Sequence, residues 1–383
     1  MSNFELITAP EVQQFINANL NADLHSLLLK KSPFENVSVQ EIVQQIRGKN
    51  VAAKKFPFLL EDGILFPPNL NLEQASSQAT AEYKAKNLSG KSYLDLTTGF
   101  GIDSYFQSQN FSEITLVEQN VELSKTVQHN WKILDRKAEF ISGTLESFLA
   151  ENNKKFDTVY LDPARRDEEK NKKFLLEDLS PNLLEIWDSL SEIADKIIIK
   201  LSPLIDISYL ISELKDVAEI KIIGVKNEVK EVVVYIIPGS EQEPLITAIN
   251  LQSNDAEFSF TRSDENAANS VFSEPVTFLY IPNSAVLKSG GFNLVSEKFG
   301  LNKLHPNTHF YTSDNFVENF PGRILKNEII NPASIKGGKF NIISKNHPLK
   351  PEEIKKKYKI TDGGDQYLIF TQSVKGKVVL KSE

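Results

Sequence analysis

Hydrophobic residues in the first 60 positions recur with the period of a helix. Apolar residues fall on one helical face at Val12, Phe15, Ile16 and Leu20. Further on, Ser38 and Glu41 have the spacing of a capping box, in which each residue bonds the other's backbone N–H at a helix start. The pattern predicts a small helical domain over residues 1–70, without chemistry of its own.

From residue 71 to 240 the pattern changes to short apolar runs separated by helical stretches. The predicted strands are Ser92–Leu96, Ile114–Glu118, Glu139–Ser142, Thr158–Asp162, Lys196–Leu201, Lys221–Val225 and Val232–Ile237. Alternating strands and helices indicate a doubly wound parallel sheet. The last two runs are joined by a link too short for a crossover, so they must pair as an antiparallel hairpin.

The remaining chain predicts two α+β modules. Over residues 241–314 we expect two short strands within Gln242–Arg262, a strand Val276–Ile281, a helix Ala285–Phe299 and a strand His305–Tyr311, compatible with a ferredoxin-like fold. Over residues 315–383 we expect strands Gly322–Leu325 and Lys339–Ser344, a helix Glu352–Tyr358, and a hairpin of Gln366–Thr371 with Lys377–Leu380.

Composition narrows the functional classes. The 383 residues contain no cysteine, which excludes disulfides, zinc–thiolate sites, iron–sulfur ligation and a covalent cysteine nucleophile. No run approaches the roughly 18 apolar residues of a membrane span, and the N-terminus lacks a basic and apolar leader. We therefore expect a cytoplasmic protein without membrane association. Among the five histidines, His305, His309 and His347 lie nearest one another in sequence but lack metal-ligand spacing, so we expect no metal site.

The charge is unevenly distributed. Residues 315–383 contain 13 Lys plus Arg against 7 Asp plus Glu, whereas residues 1–314 contain 30 against 44. A basic tail on an acidic body suggests a nucleic-acid partner. Without an aromatic ladder for single strands, recognition by shape is favoured. Candidate phosphate-binding residues in this tail are Lys345, Lys350, Lys355 and Lys356.

The strongest chemical pattern is the turn after the first predicted strand, Tyr93–Asp103. Gly99 and Gly101 would let the backbone approach a ligand closely. A dinucleotide-binding turn would have a third glycine where Ser104 stands, and Asp103 would repel a diphosphate. The turn therefore favours a different nucleoside ligand.

Acidic residues at this edge of the sheet favour a cationic, amine-bearing ligand. Asp95 ends the first strand, Asp103 begins the following helix, and Glu118 ends the second strand, where a carboxylate can accept hydrogen bonds from both ribose hydroxyls. The fourth strand ends in Asp162-Pro163-Ala164-Arg165-Arg166. There Asp162 can accept a hydrogen bond from a substrate amine or ring N–H, and Arg165 or Arg166 can stack on a base or bind a phosphate.

These motifs resemble those of the class I S-adenosylmethionine-dependent methyltransferases. Asp95-x-Thr97-x-Gly99-x-Gly101 is similar to their first motif and Glu118 to their ribose-binding acid. Asp162-Pro163-Ala164-Arg165 is similar to the catalytic-loop motif in the form found among RNA methyltransferases. The resemblance implies a Rossmann-like class I methyltransferase sheet with a terminal antiparallel hairpin, S-adenosylmethionine as cofactor, and Asp162, Pro163 and Arg165 as catalytic residues.

The resemblance extends to a bacterial group with a C-terminal THUMP-like domain, which implies RNA binding by residues 315–383. Gln74-Ala75-Ser76-Ser77, with Thr80, Tyr83 and Lys84, is similar to the segment before that group's first strand. It implies that Ser77 and Thr80 reach the methionine carboxylate. Thr144 stands where the family usually has an acid for the adenine amine, and Ala164 stands where a second proline is common.

The predicted activity is methylation of a base in structured RNA, tRNA or rRNA, by direct in-line transfer. The cofactor contacts would come from Asp95, Thr97, Gly99, Gly101, Asp103, Glu118, Thr144, Ser77 and Thr80, and the RNA contacts from Arg166, Lys345, Lys350, Lys355 and Lys356. Two alternatives stay open. One is a methyltransferase for a small molecule or a protein, and the other is a catalytically silent RNA-binding protein on the same fold.

Overall fold

The computed structural model describes residues 3–165, 175–335 and 337–383. These residues form two compact units. The first contains Met1–Leu201 and Val234–Ser240, and the second contains Ser202–Val233 and Glu241–Glu383.

The first unit begins with helices, as predicted. They are α1 (Asn3–Ile7), α2 (Pro10–Ala18), α3 (Leu24–Leu28), α4 (Val39–Lys55), α5 (Asn69–Gln74) and α6 (Gln78–Ala85). The capping box of α4 is confirmed, because the Glu41 N–H donates to Ser38 Oγ at 3.2 Å and the Ser38 N–H donates to the Glu41 carboxylate at 2.7 Å. Ile16, Ile42 and Ile46 are fully buried in a core that the helices share.

A parallel sheet follows, with helices between its strands. The strands are β1 (Gly90–Asp95), β2 (Phe111–Glu118), β3 (Glu139–Ser142), β4 (Thr158–Leu161) and β7 (Ile197–Leu201), with a small pair β5 (Ala164–Arg165) and β6 (Leu179–Ser180). The helices are α7 (Ile102–Gln107), α8 (Val121–Ile133), α9 (Leu145–Glu151) and α10 (Trp187–Ile193). The strand order is β7-β4-β1-β2-β3, and every pair is parallel. Each of these five strands overlaps its predicted range.

After β7 come α11 (Ile207–Glu213) and the strands β8 (Val217–Val225) and β9 (Glu228–Ile236), which are hydrogen-bonded neighbours across a two-residue link. The predicted hairpin is therefore present. Two more strands, β10 (Leu245–Leu251) and β11 (Phe258–Phe260), extend this hairpin: β10 pairs parallel with β8, and β11 pairs antiparallel with β10.

A separate seven-stranded sheet forms the rest of the second unit. Its strands are β12 (Phe278–Pro282), β13 (Asn302–His305), β14 (Thr308–Ser313), β15 (Gly322–Ile329), β16 (Lys339–Ser344), β17 (Thr361–Ser373) and β18 (Gly376–Ser382), and its helices are α12 (Arg262–Ala267), α13 (Ser284–Ser289), α14 (Phe292–Lys298) and α15 (Pro351–Tyr358). The strand order is β13-β14-β12-β15-β18-β17-β16. Because β15 pairs with both β12 and β18, the sheet is continuous across residue 315.

Two predictions in this region are wrong. The helix expected over Ala285–Phe299 is split into α13 and α14, because Gly290 adopts φ +86° and ends the first helix. A side chain at Gly291 would lie 2.8 Å from the rings of Phe258 and Phe260, so the second helix begins in a close backbone approach. The strand expected over His305–Tyr311 is instead a hairpin of β13 and β14. The division into four domains stays a prediction.

No helix in the described ranges combines the length and the apolar character needed to cross a membrane.

Candidate active site

The glycine turn connects β1 to α7 and has the conformation that its sequence requires. Gly99 and Gly101 adopt φ values of +54° and +74°, in the left-handed region that favours glycine. A Cβ at Gly101 would lie 2.9 Å from Val127 Cγ1 on α8, so α8 closes that side of the turn. A Cβ at Gly99 would meet only Thr97 O, at 3.8 Å. The space beside Gly99 is therefore open to a ligand.

Glu118, at the end of β2, is fixed against this turn. Its Oε2 accepts the Gly99 N–H at 2.8 Å, and its Oε1 accepts the Asn120 N–H at 2.8 Å. The side chain is partly exposed. A carboxylate has about four lone-pair sites, so two backbone bonds leave it able to accept further hydrogen bonds from a ligand.

Asp95, at the end of β1, is almost completely buried, with 1% of its surface exposed. Its carboxylate accepts the Thr97 N–H at 2.8 Å and the Ser104 hydroxyl. Burial raises the pKa of Asp95 to about 7, although both hydrogen bonds oppose the shift. Near neutral pH this side chain is therefore divided between its carboxylate and carboxylic acid forms.

Asp103 lies at the centre of a buried ion-pair network. Its carboxylate is 2.8 Å from Lys84 Nζ and 3.6 Å from Lys200 Nζ. It also accepts hydrogen bonds from the hydroxyls of Ser76 and Tyr160, each at 2.7 Å. Burial alone would raise the pKa of Asp103, but the two ammonium groups hold it well below its usual range. The charge expected to attract a cationic ligand is thus largely compensated within the protein.

Asp162, directly after β4, is connected to both the glycine turn and the buried network. Its backbone N–H donates to Thr97 Oγ1 at 2.6 Å, and its carboxylate forms an ion pair with Lys200. The Asp162 side chain is 36% exposed, whereas that of Lys200 is 10% exposed. Partial burial raises the pKa of Asp162, and Lys200 opposes the shift. The carboxylate is therefore held in place from inside the protein while its other side faces solvent.

The rest of the predicted catalytic loop is less defined. Pro163 is buried, and Ala164 and Arg165 form the short strand β5, which pairs with β6. The side chain of Arg165 and all of Arg166 lie outside the described residues, so their predicted roles stay predictions.

Three predicted cofactor contacts are bonded within helix starts in the structure, and two of them, Ser77 and Thr144, are N-caps. Ser77 Oγ accepts the Thr80 N–H at 3.3 Å at the start of α6, and the buried Thr80 hydroxyl donates to Ser77 O at 3.1 Å. Thr144 Oγ1 accepts the Ser147 N–H at 3.2 Å at the start of α9, and Thr144 is exposed. The structure therefore gives all three hydroxyls local partners at helix starts, and contact with a cofactor stays a prediction.

The sequence interpretation missed Lys200, Ser104 and Tyr160. A detectable signal existed for Lys200, since a lysine in the apolar run Ile197–Leu201 must have a buried anionic partner. The paired register shows which one: Leu161 lies opposite Ile199, so the next residues on the two strands are Asp162 and Lys200.

The candidate RNA-binding lysines are in the second unit and differ in their surroundings. Lys345, Lys350 and Lys356 are exposed. Lys355, by contrast, forms ion pairs with Glu352 at 2.7 Å and Asp362 at 2.5 Å. Its charge is therefore already compensated. Among the described residues, no cluster of three or more histidine, aspartate or glutamate side chains could hold a metal ion.

Three parts of the chain match known family profiles. A family profile described as Conserved hypothetical protein 95 matches residues 78–184, a ferredoxin-like domain profile matches residues 278–321, and a THUMP domain-like profile matches residues 333–381. Among curated protein sequences, none matches this chain.

One solved structure is similar over nearly the whole chain. It is a candidate methyltransferase from Porphyromonas gingivalis W83, with 28% identity and a TM-score of 0.86 over 99% of this chain and 97% of its own. TrmK from M. capricolum, solved with S-adenosyl-homocysteine, has 12% identity and a TM-score of 0.33 over 43% of this chain and 71% of its own. An rRNA methylase from Streptococcus thermophilus has 13% identity and a TM-score of 0.31 over 42% and 94%. At such TM-scores the likeness does not extend to function.

The predicted resemblance is therefore confirmed. The chain has the class I methyltransferase fold, followed by ferredoxin-like and THUMP-like domains. It is a methyltransferase, and the cofactor of its class is S-adenosylmethionine.

Proposed function

We propose that this methyltransferase modifies a base in structured RNA, tRNA or rRNA, by direct transfer without a covalent enzyme intermediate. The observation that carries the proposal is the position of Asp162. Its backbone is bonded to Thr97 in the glycine turn and its carboxylate is held by Lys200, so a candidate acceptor for a substrate N–H is fixed to the candidate cofactor site.

The cofactor would lie beside Gly99, where the turn leaves open space. S-adenosylmethionine supplies a methyl group activated by a sulfonium. Glu118 would accept hydrogen bonds from ribose hydroxyls, because its carboxylate is already oriented by the Gly99 and Asn120 N–H groups. Thr98 Oγ1 in the same turn is buried, and among the described residues it has no hydrogen-bond partner. An unsatisfied buried hydroxyl is expected to be bonded by a ligand or water.

The protein's part in methyl transfer is mainly alignment, together with charge stabilisation. Asp162 would accept a hydrogen bond from the substrate N–H and so orient the nitrogen lone pair. As the nitrogen becomes positively charged, the same carboxylate stabilises that charge and takes the released proton. Lys200 fixes the carboxylate, and the buried network around Asp103 fixes Lys200 in turn.

An RNA substrate is supported by the second unit. Its THUMP-like region carries exposed lysines that can bind phosphates, and residues 315–383 have a positive balance of charge. Lys345, Lys350 and Lys356 remain the candidates, whereas Lys355 is compensated by its carboxylates. The four-domain division and the cytoplasmic location belong to this proposal as well.

Cofactor binding is tested first. Titration calorimetry should detect S-adenosylmethionine binding to the full chain, and Glu118→Ala should weaken it by roughly 10- to 100-fold, because hydrogen bonds to a charged group contribute about 1.5–3 kcal/mol. Glu113→Ala is the matched control, since Glu113 is exposed on the same strand and pairs with Lys91. Equal weakening by both variants, or binding of NAD instead, would contradict this assignment.

Asp162 is tested by separating binding from turnover. We expect Asp162→Asn to bind S-adenosylmethionine within about threefold of wild type and to methylate RNA more slowly by roughly 10²- to 10⁴-fold. Asp195→Asn, a change at an exposed ion pair with Lys155, is the control. The substrate is identified by mass spectrometry of RNA nucleosides from cells with and without the gene. An unchanged rate in Asp162→Asn would remove Asp162 from the mechanism, and an unchanged nucleoside profile would count against RNA as the substrate.

A further inference from the structure

A second basic site lies in the first unit, away from the glycine turn. It is a cleft of about 590 Å³, which we call the α8 cleft. Its principal lining residues are Phe4, His129, Lys132, Arg136, Lys137 and Phe140. The C-terminal part of α8, the loop that follows it and Phe140 on β3 contribute most of them. Parallel strands begin at this edge and end at the opposite one, where Gly99, Glu118 and Asp162 lie. The α8 cleft is therefore not part of the cofactor site.

The α8 cleft concentrates positive charge on an acidic part of the chain. Lys125, Lys132, Arg136 and Lys137 line it, against a single carboxylate, Asp135. Lys125 pairs with Glu122 at 2.7 Å. In the described ranges no carboxylate forms an ion pair with the other three cations. A cation at the end of a helix is stabilised by the helix dipole, which accounts for Lys132 but not for Arg136 or Lys137.

Arg136 is the best-positioned of these cations. Its guanidinium donates to Ser108 Oγ at 2.8 Å and lies 5.4 Å from the ring centres of both Tyr105 and Trp131. The Arg136 side chain is half-buried, yet in the described part of the chain no carboxylate forms an ion pair with it. Since a partly desolvated guanidinium favours a phosphate or carboxylate partner, this arrangement leaves a binding position for an anion.

Aromatic rings flank the cations. The rings of Phe4 and His129 meet edge to face at 5.4 Å, and His129 is held by the Gly63 carbonyl at 2.9 Å from its Nε2. Phe140 also lines the cleft, and its ring centre lies 5.9 Å from that of Trp131. Rings beside unpaired cations are the combination that binds single nucleic-acid strands, because bases stack on the rings and phosphates meet the cations.

We infer that the α8 cleft binds a segment of RNA, with phosphates at Lys132, Arg136 and Lys137 and a base against Phe4 or Phe140. The inference rests on the proposed RNA substrate and adds a contact surface on the methyltransferase unit, separate from the THUMP-like region. An acidic protein segment would satisfy the cations, but it would not use the rings in this way.

The test measures RNA affinity of the full chain against salt concentration. The probes are a fluorescein-labelled unmodified tRNA transcript and a labelled 20-nucleotide single strand of mixed sequence. Lys132 and Lys137 are exposed, so Lys132→Glu/Lys137→Glu should leave the fold intact. We expect at least tenfold weaker binding and a salt slope smaller by about 1.4–1.8, since each of the two phosphate contacts contributes roughly 0.7–0.9.

The control makes the same change of charge elsewhere. Lys30→Glu/Lys31→Glu alters two exposed lysines outside the cleft and should change the affinity by less than threefold. As a second measurement, photo-crosslinking of a 4-thiouridine-labelled probe to wild type should place crosslinks within residues 125–140 or at Phe4.

If the two double variants bind RNA with equal affinity and the crosslinks fall elsewhere, RNA binding by the α8 cleft is overturned. The proposed RNA methylation is not affected by that result. If wild type binds neither RNA probe, RNA binding by the α8 cleft is overturned as well. If wild type methylates no RNA but its RNA affinity depends on Lys132 and Lys137, the proposed function is wrong, whereas RNA binding by the α8 cleft is supported.

Discussion

The buried charges of the methyltransferase unit and the exposed lysines of the THUMP-like region show how differently the same residue types can be used. In the first, Lys84, Asp103 and Lys200 are each matched to an oppositely charged group at short range. In the second, Lys345 and Lys356 extend into solvent, and no ion pair involves them in the ranges described.

Solvation explains the difference. A charge removed from water costs several kcal/mol unless a partner compensates it, so a buried charged residue needs defined geometry. An exposed pair contributes about 0–1 kcal/mol, so an exposed lysine is free to move and its position says little about its function. The buried network therefore holds individual side chains in defined positions, whereas the exposed lysines contribute charge without defined partners among the described residues.

The largest expected effect is a loss of folding stability when the buried network loses a charge. Lys84 is fully buried against Asp103. Lys84→Met keeps the volume but removes one of the two ammonium groups, and we expect it to lower the free energy of unfolding by about 3–5 kcal/mol. Lys91→Met, at the exposed pair with Glu113, should leave the free energy of unfolding nearly unchanged, because solvent screens that pair. Urea unfolding of both variants measures the difference, and similar losses would show that burial does not distinguish the two pairs.

The free energy of unfolding should depend on pH through the buried Asp95. Because the pKa of Asp95 is raised from 3.8 to about 7, folding favours its protonated form. Its contribution to stability is therefore fully present below about pH 4 and is lost as the pH rises through 7. Asp95→Asn keeps a neutral side chain throughout, so relative to wild type it should gain stability from pH 4 to pH 8, on the order of 4 kcal/mol.

The measurement is the free energy of unfolding of wild type and Asp95→Asn in the absence of cofactor, at pH 4, 6 and 8. Asp157→Asn is the control with the opposite sign, because backbone hydrogen bonds from Lys91 and Ser92 lower the pKa of Asp157. Its destabilisation should be greater at pH 8 than at pH 4. A pH-independent difference for Asp95→Asn would mean that Asp95 is ionised throughout.

Much of the methyltransferase unit could be predicted because its signals are local. The run Ile197–Leu201 is β-branched and buried on both faces, and the turn at Gly99 and Gly101 needs glycine for its backbone conformation. The ion pair of Lys200 with Asp162 depends instead on the strand order β7-β4-β1, which brings together residues distant in sequence. The break at Gly290 and the hairpin of β13 and β14 had local signals that the prediction overlooked. Gly290 ends a helix in the left-handed conformation that favours glycine, and Pro306 and Asn307 form the turn between the two strands.

The smallest expected effect compares two adjacent lysines in the THUMP-like region. Lys355 is already paired with Glu352 and Asp362, whereas Lys356 is exposed. If exposed cations bind phosphates, Lys356→Gln should lower the salt slope of RNA binding by about 0.7–0.9 and the affinity by a few-fold. Lys355→Gln should leave the slope nearly unchanged, because the lysine lost was already compensated. Fluorescence anisotropy of the full chain with labelled tRNA transcript at several salt concentrations distinguishes the two. Equal slopes for both variants would mean that charge pairing in the free protein does not decide which lysines contact RNA.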